Sequence, residues 1–184
     1  NLIQTGWYND DLKKIKKTFI SINENLSFYI LGDIEYQIEK MLKIIKFKRK
    51  NAFSRIIFLN GNLKDWKIFV DNNFDESDKS KYPEHDLSGL TGCLNLIDME
   101  IENNFFQVEN SNCEDAINFI RTNGSIKSIN VFNSKHDAID ADFSKITFEN
   151  IEILKSGNDC LDFSYGTYKI NNASINYCGD KAIS

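Results

Sequence analysis

The stretch KHDAIDADF (135–143) is followed 22 residues later by GNDCLDFSY (157–165), which has Asp, a small residue, an aliphatic residue and Asp at the same positions. In Ile139-Asp140-Ala141-Asp142-Phe143, apolar and polar residues alternate. This period of two is typical of a β-strand with one buried and one solvated face. The two stretches therefore predict equivalent strands in successive copies of a repeat.

The interval of 22 residues extends over residues 113–184 and keeps small or apolar residues in phase. These columns are Ala116, Ala138, Cys160 and Ala182, then Ile117, Ile139, Leu161 and Ile183, then Ile126, Phe148 and Ile170. A repeat of about 20–30 residues made of short alternating strands is typical of a solenoid in which each copy is one coil. The sequence therefore predicts an all-β solenoid with coils of about 22 residues.

The N-terminal region lacks this strict repeat. A basic segment from Asp10 to about Asn23 and an amphipathic pattern from Ile34 to about Phe47 predict two helices, and Leu26–Leu31 predicts a short strand between them. Terminal coils of a solenoid need a cover. We therefore assign residues 1–52 to a helix-rich region that caps the solenoid, and residues 53–184 to the solenoid itself.

Within the solenoid, residues 55–60 and 64–71 predict two strands around the turn-forming triplet Asn60-Gly61-Asn62. The polar segment from Asn72 to Leu87 predicts an inserted surface loop. A further copy of the repeat begins at Asp180 and stops at Ser184. Because an unpaired coil edge promotes aggregation, we expect further C-terminal coils of the same protein.

Composition limits the classes of partner. The chain has 22 basic and 27 acidic residues and a net charge of -5, which disfavours a nucleic-acid-binding surface. No apolar run reaches about 18 residues, so the sequence predicts no membrane span. The chain begins at Asn1 rather than Met, so the missing signal peptide carries little information about compartment.

The four cysteines, at positions 93, 113, 160 and 178, show no Cys-x-x-Cys spacing, so the sequence does not predict a zinc site. Cys160 occupies a column otherwise held by Ala, which favours a small buried thiol. A disulfide between Cys93 and Cys113 is the alternative that the sequence leaves open.

Aspartates concentrate at one corner of the predicted coil. One column holds Asp115, Asp137 and Asp159, and a second holds Asn118, Asp140 and Asp162. Carboxylates stacked at about 4.8 Å repel each other unless a cation, a base or a bound proton intervenes. One interpretation is therefore a calcium site at Asp137, Asp140, Asp159 and Asp162, or an acid and base pair. The other, which we favour, is that each Asp accepts backbone N–H groups in the turn.

Two further features have structural and functional interpretations. His136 lies beside Asp137 and predicts either a catalytic His–Asp pair or, as we favour, an exposed corner histidine. Ser128, Asn150 and Asn172 form a polar column that marks the bend between two strands. Stacked Asn side chains hydrogen-bond along such a column, so we predict a structural role for it.

The segments Lys135–Asp140 and Gly157–Leu161 resemble the right-handed parallel β-helix repeats of pectin-lyase-like proteins, from about Arg55 to Ser184. Among the family's enzymes the polygalacturonases are most similar, and they place three catalytic carboxylates on adjacent coils. By this resemblance Asp137 matches the first carboxylate and Asp159 the last. Asn158 stands at the general acid's position, and an amide cannot donate a proton in that way. The resemblance therefore implies the fold more strongly than the hydrolase.

Two functions follow as hypotheses. The first, which we favour, is a right-handed β-helix module of a secreted or cell-surface protein that binds polysaccharide or acts as a rigid spacer. The second is a polysaccharide lyase or glycoside hydrolase that uses carboxylates on adjacent coils. Its candidate catalytic residues are Asp137, Asp159, Asp162 and His136, with calcium as a candidate cofactor.

Overall fold

The computed structural model describes residues 16–73 and 89–184. They form a β-solenoid of about five turns, with parallel bridges about 23 residues apart, which is consistent with a parallel β-helix. The strands are β1 (Lys17–Asn23), β2 (Leu26–Leu31), β3 (Ile34–Glu39), β4 (Ile44–Arg49), β5 (Arg55–Lys64), β6 (Lys67–Asp71), β7 (Gly92–Glu109), β8 (Asp115–Ile120), β9 (Asn123–Phe132), β10 (Asp137–Asp142), β11 (Lys145–Ile153), β12 (Leu161–Ser164) and β13 (Thr167–Ile175).

Two parallel stacks of strands run along the solenoid. The first contains β5, the first half of β7, β8, β10 and β12. The second contains β4, β6, the second half of β7, β9, β11 and β13. At the N-terminal end, β1 and β2 extend the first stack and β3 extends the second, all by antiparallel pairing. The strands within residues 17–49 therefore belong to the same sheet as the coils that follow.

Strand pairing confirms the 22-residue register. Ile139 pairs with Ile117 on one side and with Leu161 on the other, and all three side chains are buried. In the second stack, Phe148 lies between Ile126 and Ile170. The apolar columns predicted from the sequence are thus ladders of side chains that fill the interior of the solenoid, except at the C-terminal end, where Ala182 and Ile183 are exposed.

The predicted helix from Ile34 to Phe47 is wrong, because this segment is a hairpin of β3 and β4 around a 3-10 turn, Lys40–Leu42. Ile34, Ile38 and Ile45 face inward in the hairpin. A spacing of four residues fits a helical face, but it equally fits a strand of period two. The many β-branched and aromatic residues of this segment favour the strand.

The predicted helix from Asp10 to Asn23 lies partly outside the described residues, and its second half is strand β1 rather than helix. The side chains of Ile20 and Ile22, two residues apart, both face the core, as expected for a strand. The described residues therefore show no helical cap. No helix of the described ranges is long and apolar enough to cross a membrane.

The two strands predicted within residues 55–71 exist, but the first runs on to Lys64 and the second begins at Lys67, so the turn lies at Asp65-Trp66 and not at Asn60-Gly61-Asn62. Strand β5 continues through Asn60-Gly61-Asn62, and Asn60 bends it with a φ of 52°. The bend lies against the backbone of Asn25. A Cβ on residue 61 would lie only 2.7 Å from the carbonyl oxygen of Asn25, so glycine is needed there. The strand β2 predicted at Leu26–Leu31 is confirmed. Most of the predicted loop from Asn72 to Leu87 lies outside the described residues.

All four cysteines form disulfides, Cys93 with Cys113 and Cys160 with Cys178. The first pair agrees with the alternative that the sequence left open. The prediction of a free thiol at Cys160 is wrong, because the end of the same coil brings Cys178 to a Cα–Cα distance of 5.5 Å. Each bridge joins the start of a coil in the first stack to the end of that coil, a closure that sequence spacing does not reveal.

A ladder of phenylalanines links successive coils in the core. Phe106, Phe119 and Phe148 are fully buried and meet edge to face, with ring centroids 5.8 and 6.3 Å apart. Such contacts add to the stabilisation from burial. The ladder couples both strand stacks, because Phe119 lies on β8 and its two partners lie on β7 and β11.

We expect Phe119→Ala to lower the free energy of unfolding by about 3–5 kcal/mol, since it opens a cavity between two other rings. Urea denaturation measures this change. Phe143→Ala is the control, because Phe143 is 59% exposed, and it should cost less than about 1 kcal/mol. Equal losses would contradict a stabilising role for the buried ladder.

Candidate functional site

The predicted Asp corner exists, and two of its carboxylates link consecutive coils. Asp137 Oδ1 accepts hydrogen bonds from the backbone N–H of Asp159 (2.8 Å) and from Asn158 Nδ2 (2.7 Å). Asp159 Oδ1 accepts in the same way from the backbone N–H of Lys181, at 2.8 Å. Lys181 Nζ also lies 3.7 Å from Asp159 Oδ2. The structure therefore confirms the turn-bonding interpretation for Asp137 and Asp159.

Asp115 heads the column but departs from this pattern. The N–H of Asp137 donates to the carbonyl of Glu114 instead, at 2.7 Å. The Asp115 carboxylate faces the outer column, where Asn118 Nδ2 lies 3.0 Å from Asp115 Oδ2 and 2.8 Å from Asp140 Oδ2. One amide thus bridges two carboxyl groups on adjacent coils.

Burial shifts the proton affinity of these two carboxyl groups. Loss of solvation raises the pKa of Asp115 to about 7, against the lowering effect of its hydrogen bonds from Thr91 and Asn118. Loss of solvation, followed by repulsion from neighbouring carboxylates, raises the pKa of Asp140 to about 8. The pair therefore holds protons close to neutral pH, which relieves the like-charge repulsion expected from the sequence.

The other predicted site residues lie on the same side of the solenoid. Asp162 pairs in register with Asp140 and is half-buried. His136 is half-buried as well, so the favoured prediction of an exposed corner histidine is wrong. Its carbonyl accepts hydrogen bonds from Ser156 and Gly157. No group of three or more His, Cys, Asp or Glu side chains within residues 16–73 and 89–184 has an arrangement that could hold a metal ion. The catalytic and calcium roles stay predictions.

A second surface, which the sequence did not indicate as a site, lies on the outer side of the second stack. We call it the polar face. Strand register aligns one residue from each of seven strands in a continuous central row of this face. The row consists of Gln37, Lys46, Phe69, Gln107, Asn130, Glu152 and Ser174.

Two shallow depressions occupy the polar face. The first, of about 500 Å³, is lined by the first four residues of the central row together with Tyr36 and Lys48. The second, of about 580 Å³, is lined by the last three together with Ser128, Asn150 and Asn172. Gln107 and Asn130 pair directly across the boundary. The two depressions are therefore consecutive parts of one surface.

The side chains of this face are held in place by their neighbours. Asn172 Nδ2 lies 3.3 Å from Asn150 Oδ1, and Asn150 Nδ2 donates to the carbonyl of Lys127 at 3.0 Å. Ser128 Oγ donates to Asn130 Oδ1 at 3.1 Å. The predicted structural role of this column is confirmed. The column also lines the second depression, which the sequence could have suggested only through its amide-rich repeat.

This chain matches no known family model, no curated protein and no solved structure in the comparisons made. The class of protein is therefore defined by its own architecture. It is an all-β solenoid with parallel coils, an acidic corner and an extended polar face.

We expect Asp137→Ala to lower the free energy of unfolding by about 1–3 kcal/mol, because it leaves a buried backbone N–H and an amide without their acceptor. Asp137→Asn keeps an acceptor oxygen and should cost less than about 1 kcal/mol. Urea denaturation at neutral pH compares the two variants. Equal losses would show that the negative charge, rather than the acceptor, supports the corner.

The raised pKa values of Asp115 and Asp140 predict that stability depends on pH. The folded state binds these protons more tightly than the unfolded chain, so their stabilisation is complete below about pH 4 and is lost as pH rises through about 7 to 8. We expect the melting temperature to fall by several degrees between about pH 4 and about pH 8. The carboxylates that raise these two pKa values by repulsion are Glu114, Asp137, Asp142 and Asp162, together with Asp115 acting on Asp140.

Asp140→Asn tests this expectation, because an amide stays neutral at every pH. Thermal unfolding between pH 5 and 9 should show a smaller fall in melting temperature for this variant than for the unaltered protein. Glu149→Gln, at an exposed position of β11, is the matched control and should leave the pH profile unchanged. A profile that is identical in all three proteins would exclude Asp140 as the source.

Proposed function

We propose that this protein is a non-catalytic polysaccharide-binding module whose polar face holds the glycan. The observation that carries the proposal is the central row, which continues through both depressions without interruption. Sugars present hydroxyl groups that both donate and accept hydrogen bonds. The row contains three amides, one hydroxyl, one ammonium group and one carboxylate, which together offer partners of both kinds.

An aromatic pair on the same face supports this proposal. Phe69 and Phe105 lie on adjacent strands, are half-buried, and place their ring centroids 5.4 Å apart. Both belong to the outward side of strands whose inward residues, such as Ile68 and Phe106, are buried in the core. Aromatic rings combined with polar neighbours suit an amphipathic ligand such as a pyranose, which has apolar C–H faces and a polar rim.

The acidic corner favours binding over catalysis as the main function. Asp137 and Asp159, which match two catalytic carboxylates in the polygalacturonase resemblance, are each engaged by a backbone N–H of the following coil. Both are buried. A carboxylate that supports a coil junction is poorly placed to act on a polymer at the surface.

A second candidate function is a carbohydrate-active enzyme, and one observation favours it. The pKa of Asp140 is raised to about 8, so this carboxyl group keeps a proton near neutral pH, as a general acid must. Asp162 is its register partner on the next coil. In this reading the chemistry would use the acidic side of the solenoid, with calcium as a candidate cofactor.

We further infer a right-handed, pectin-lyase-like solenoid in a secreted or cell-surface protein. Two disulfides are compatible with an extracellular location, because such bonds persist in oxidising compartments. A rigid spacer is the simplest alternative for a solenoid that binds no glycan.

Affinity electrophoresis against immobilised neutral and acidic polysaccharides, with and without calcium, tests the proposal. We expect retardation by at least one neutral polysaccharide. The double variant Phe69→Ala with Phe105→Ala should weaken that binding about tenfold or more, because the rings supply its apolar contact. Phe143→Ala, an exposed aromatic at a corner away from the polar face, is the control and should bind normally.

The same incubations separate the two functions. Reducing ends should not increase, and unsaturated uronates should not form, if the protein only binds. Release of reducing ends that is lost in Asp140→Asn would instead favour the enzyme. If no polysaccharide in the panel is bound or cleaved, a rigid spacer would be the remaining candidate function.

A further inference from the structure

We infer that the polar face takes a linear, uncharged polysaccharide whose chain runs along the solenoid axis, across the strands, with about one sugar for each strand. This inference rests on the proposed function and adds the shape, charge and direction of the ligand. Four features of the polar face support it: the spacing of the central row, the length of that row, the charge of the face and the pre-organisation of its side chains.

The spacing comes from the fold. Adjacent strands lie about 4.8 Å apart, so the central row offers one side chain at every such step along the axis. This step is close to the advance per sugar in an extended pyranose chain. A polymer lying along the row therefore meets a new side chain at each sugar, and each of these side chains is a hydrogen-bonding group except Phe69, whose ring offers an apolar contact. A chain lying parallel to the strands would leave the row after one or two contacts.

The length follows from the number of strands. The row crosses seven strands, and the six intervals between them span roughly 29 Å. Along this distance the face changes in character. The aromatic pair lies in the half nearer the N-terminus, and the half nearer the C-terminus consists of amides, hydroxyls and one carboxylate. One continuous ligand can use both halves only if it extends over several sugars.

The charge of the face disfavours an acidic polymer as the preferred ligand. The two depressions are lined by four carboxylates and two ammonium groups. The carboxylates are Glu35, Asp71, Glu109 and Glu152, and the ammonium groups are Lys46 and Lys48. Lys46 is itself paired with Glu39, at 3.6 Å, and Glu35 with Lys50, at 2.9 Å. Without these two paired groups, the lining still has three carboxylates against one ammonium group. A net negative lining repels uronates, which sites for anions attract through clustered basic side chains.

Pre-organisation favours binding of a long chain. The hydrogen bonds between Asn150 and Asn172 and between Ser128 and Asn130 hold the amide-rich half in one arrangement before the ligand arrives. Each added sugar then gains contacts without the full cost of ordering protein side chains. Affinity should therefore grow with chain length until the ligand covers the row.

Calorimetric titration of the full chain with β-1,4-linked gluco- and manno-oligosaccharides of two to six sugars tests the inference. We expect the affinity of one of these series to increase at least about tenfold from the disaccharide to the hexasaccharide. Oligogalacturonides of the same lengths should bind at least about tenfold more weakly at low salt, where charge repulsion is strongest.

Asn130→Ala removes a side chain from the middle of the central row. We expect it to reduce hexasaccharide binding severalfold while leaving disaccharide binding nearly unchanged. Asn123→Ala is the matched control, because Asn123 is an exposed residue of the same strand outside both depressions. It should leave both affinities unchanged.

The outcomes separate this inference from the proposed function. Equal affinity for disaccharide and hexasaccharide would overturn the extended ligand but keep glycan binding. Tighter binding of oligogalacturonides would overturn the uncharged ligand. Failure of every neutral and acidic sugar to bind would overturn both the inference and the proposed function.

Discussion

The stacking of one coil on the next through parallel backbone hydrogen bonds is the constraint on which the structure depends. Because the bonds join equivalent positions, any side chain repeated at 22 residues is stacked on its own kind. Inside the solenoid this stacking produces an interlocked core, as with Phe119 between two other rings. Outside, the same rule brings like polar groups together, where each must find a partner or change its charge.

The two outer surfaces resolve this requirement differently. At the acidic corner, Asp137 and Asp159 each accept a backbone N–H from the following coil, and the pKa of Asp140 rises so that it holds a proton. On the polar face, neutral amides hydrogen-bond to each other or to the backbone. At the acidic corner, polar groups hydrogen-bond between coils. On the polar face, a long row of polar groups faces solvent. This difference is why we propose ligand binding at the polar face.

Much of the fold could be predicted because the same pattern of apolar and polar residues recurs in each coil of the solenoid. The alternation around Ile139 and its return 22 residues later predict the strands, the register and the buried columns. The turn-bonding role of Asp137 was also predictable, since a short polar side chain at a corner has few other partners. The hairpin at Ile34 to Phe47 was not, because a four-residue spacing serves helix and strand alike.

The sequence by itself determined the repeat length, the alternation of inward and outward residues and the columns that stack, because these depend on neighbours at a constant separation. Only the tertiary structure decided which outward residues lie together on one continuous surface. Asn130, Glu152 and Ser174 of the central row follow the 22-residue period. The N-terminal half of the row, from Gln37 to Gln107, has separations that vary, so the period alone does not predict the whole row. The pairing of Cys160 with Cys178 and the raised pKa of Asp140 could likewise be found only from the tertiary structure. Each depends on distance and burial in space, which sequence spacing does not specify.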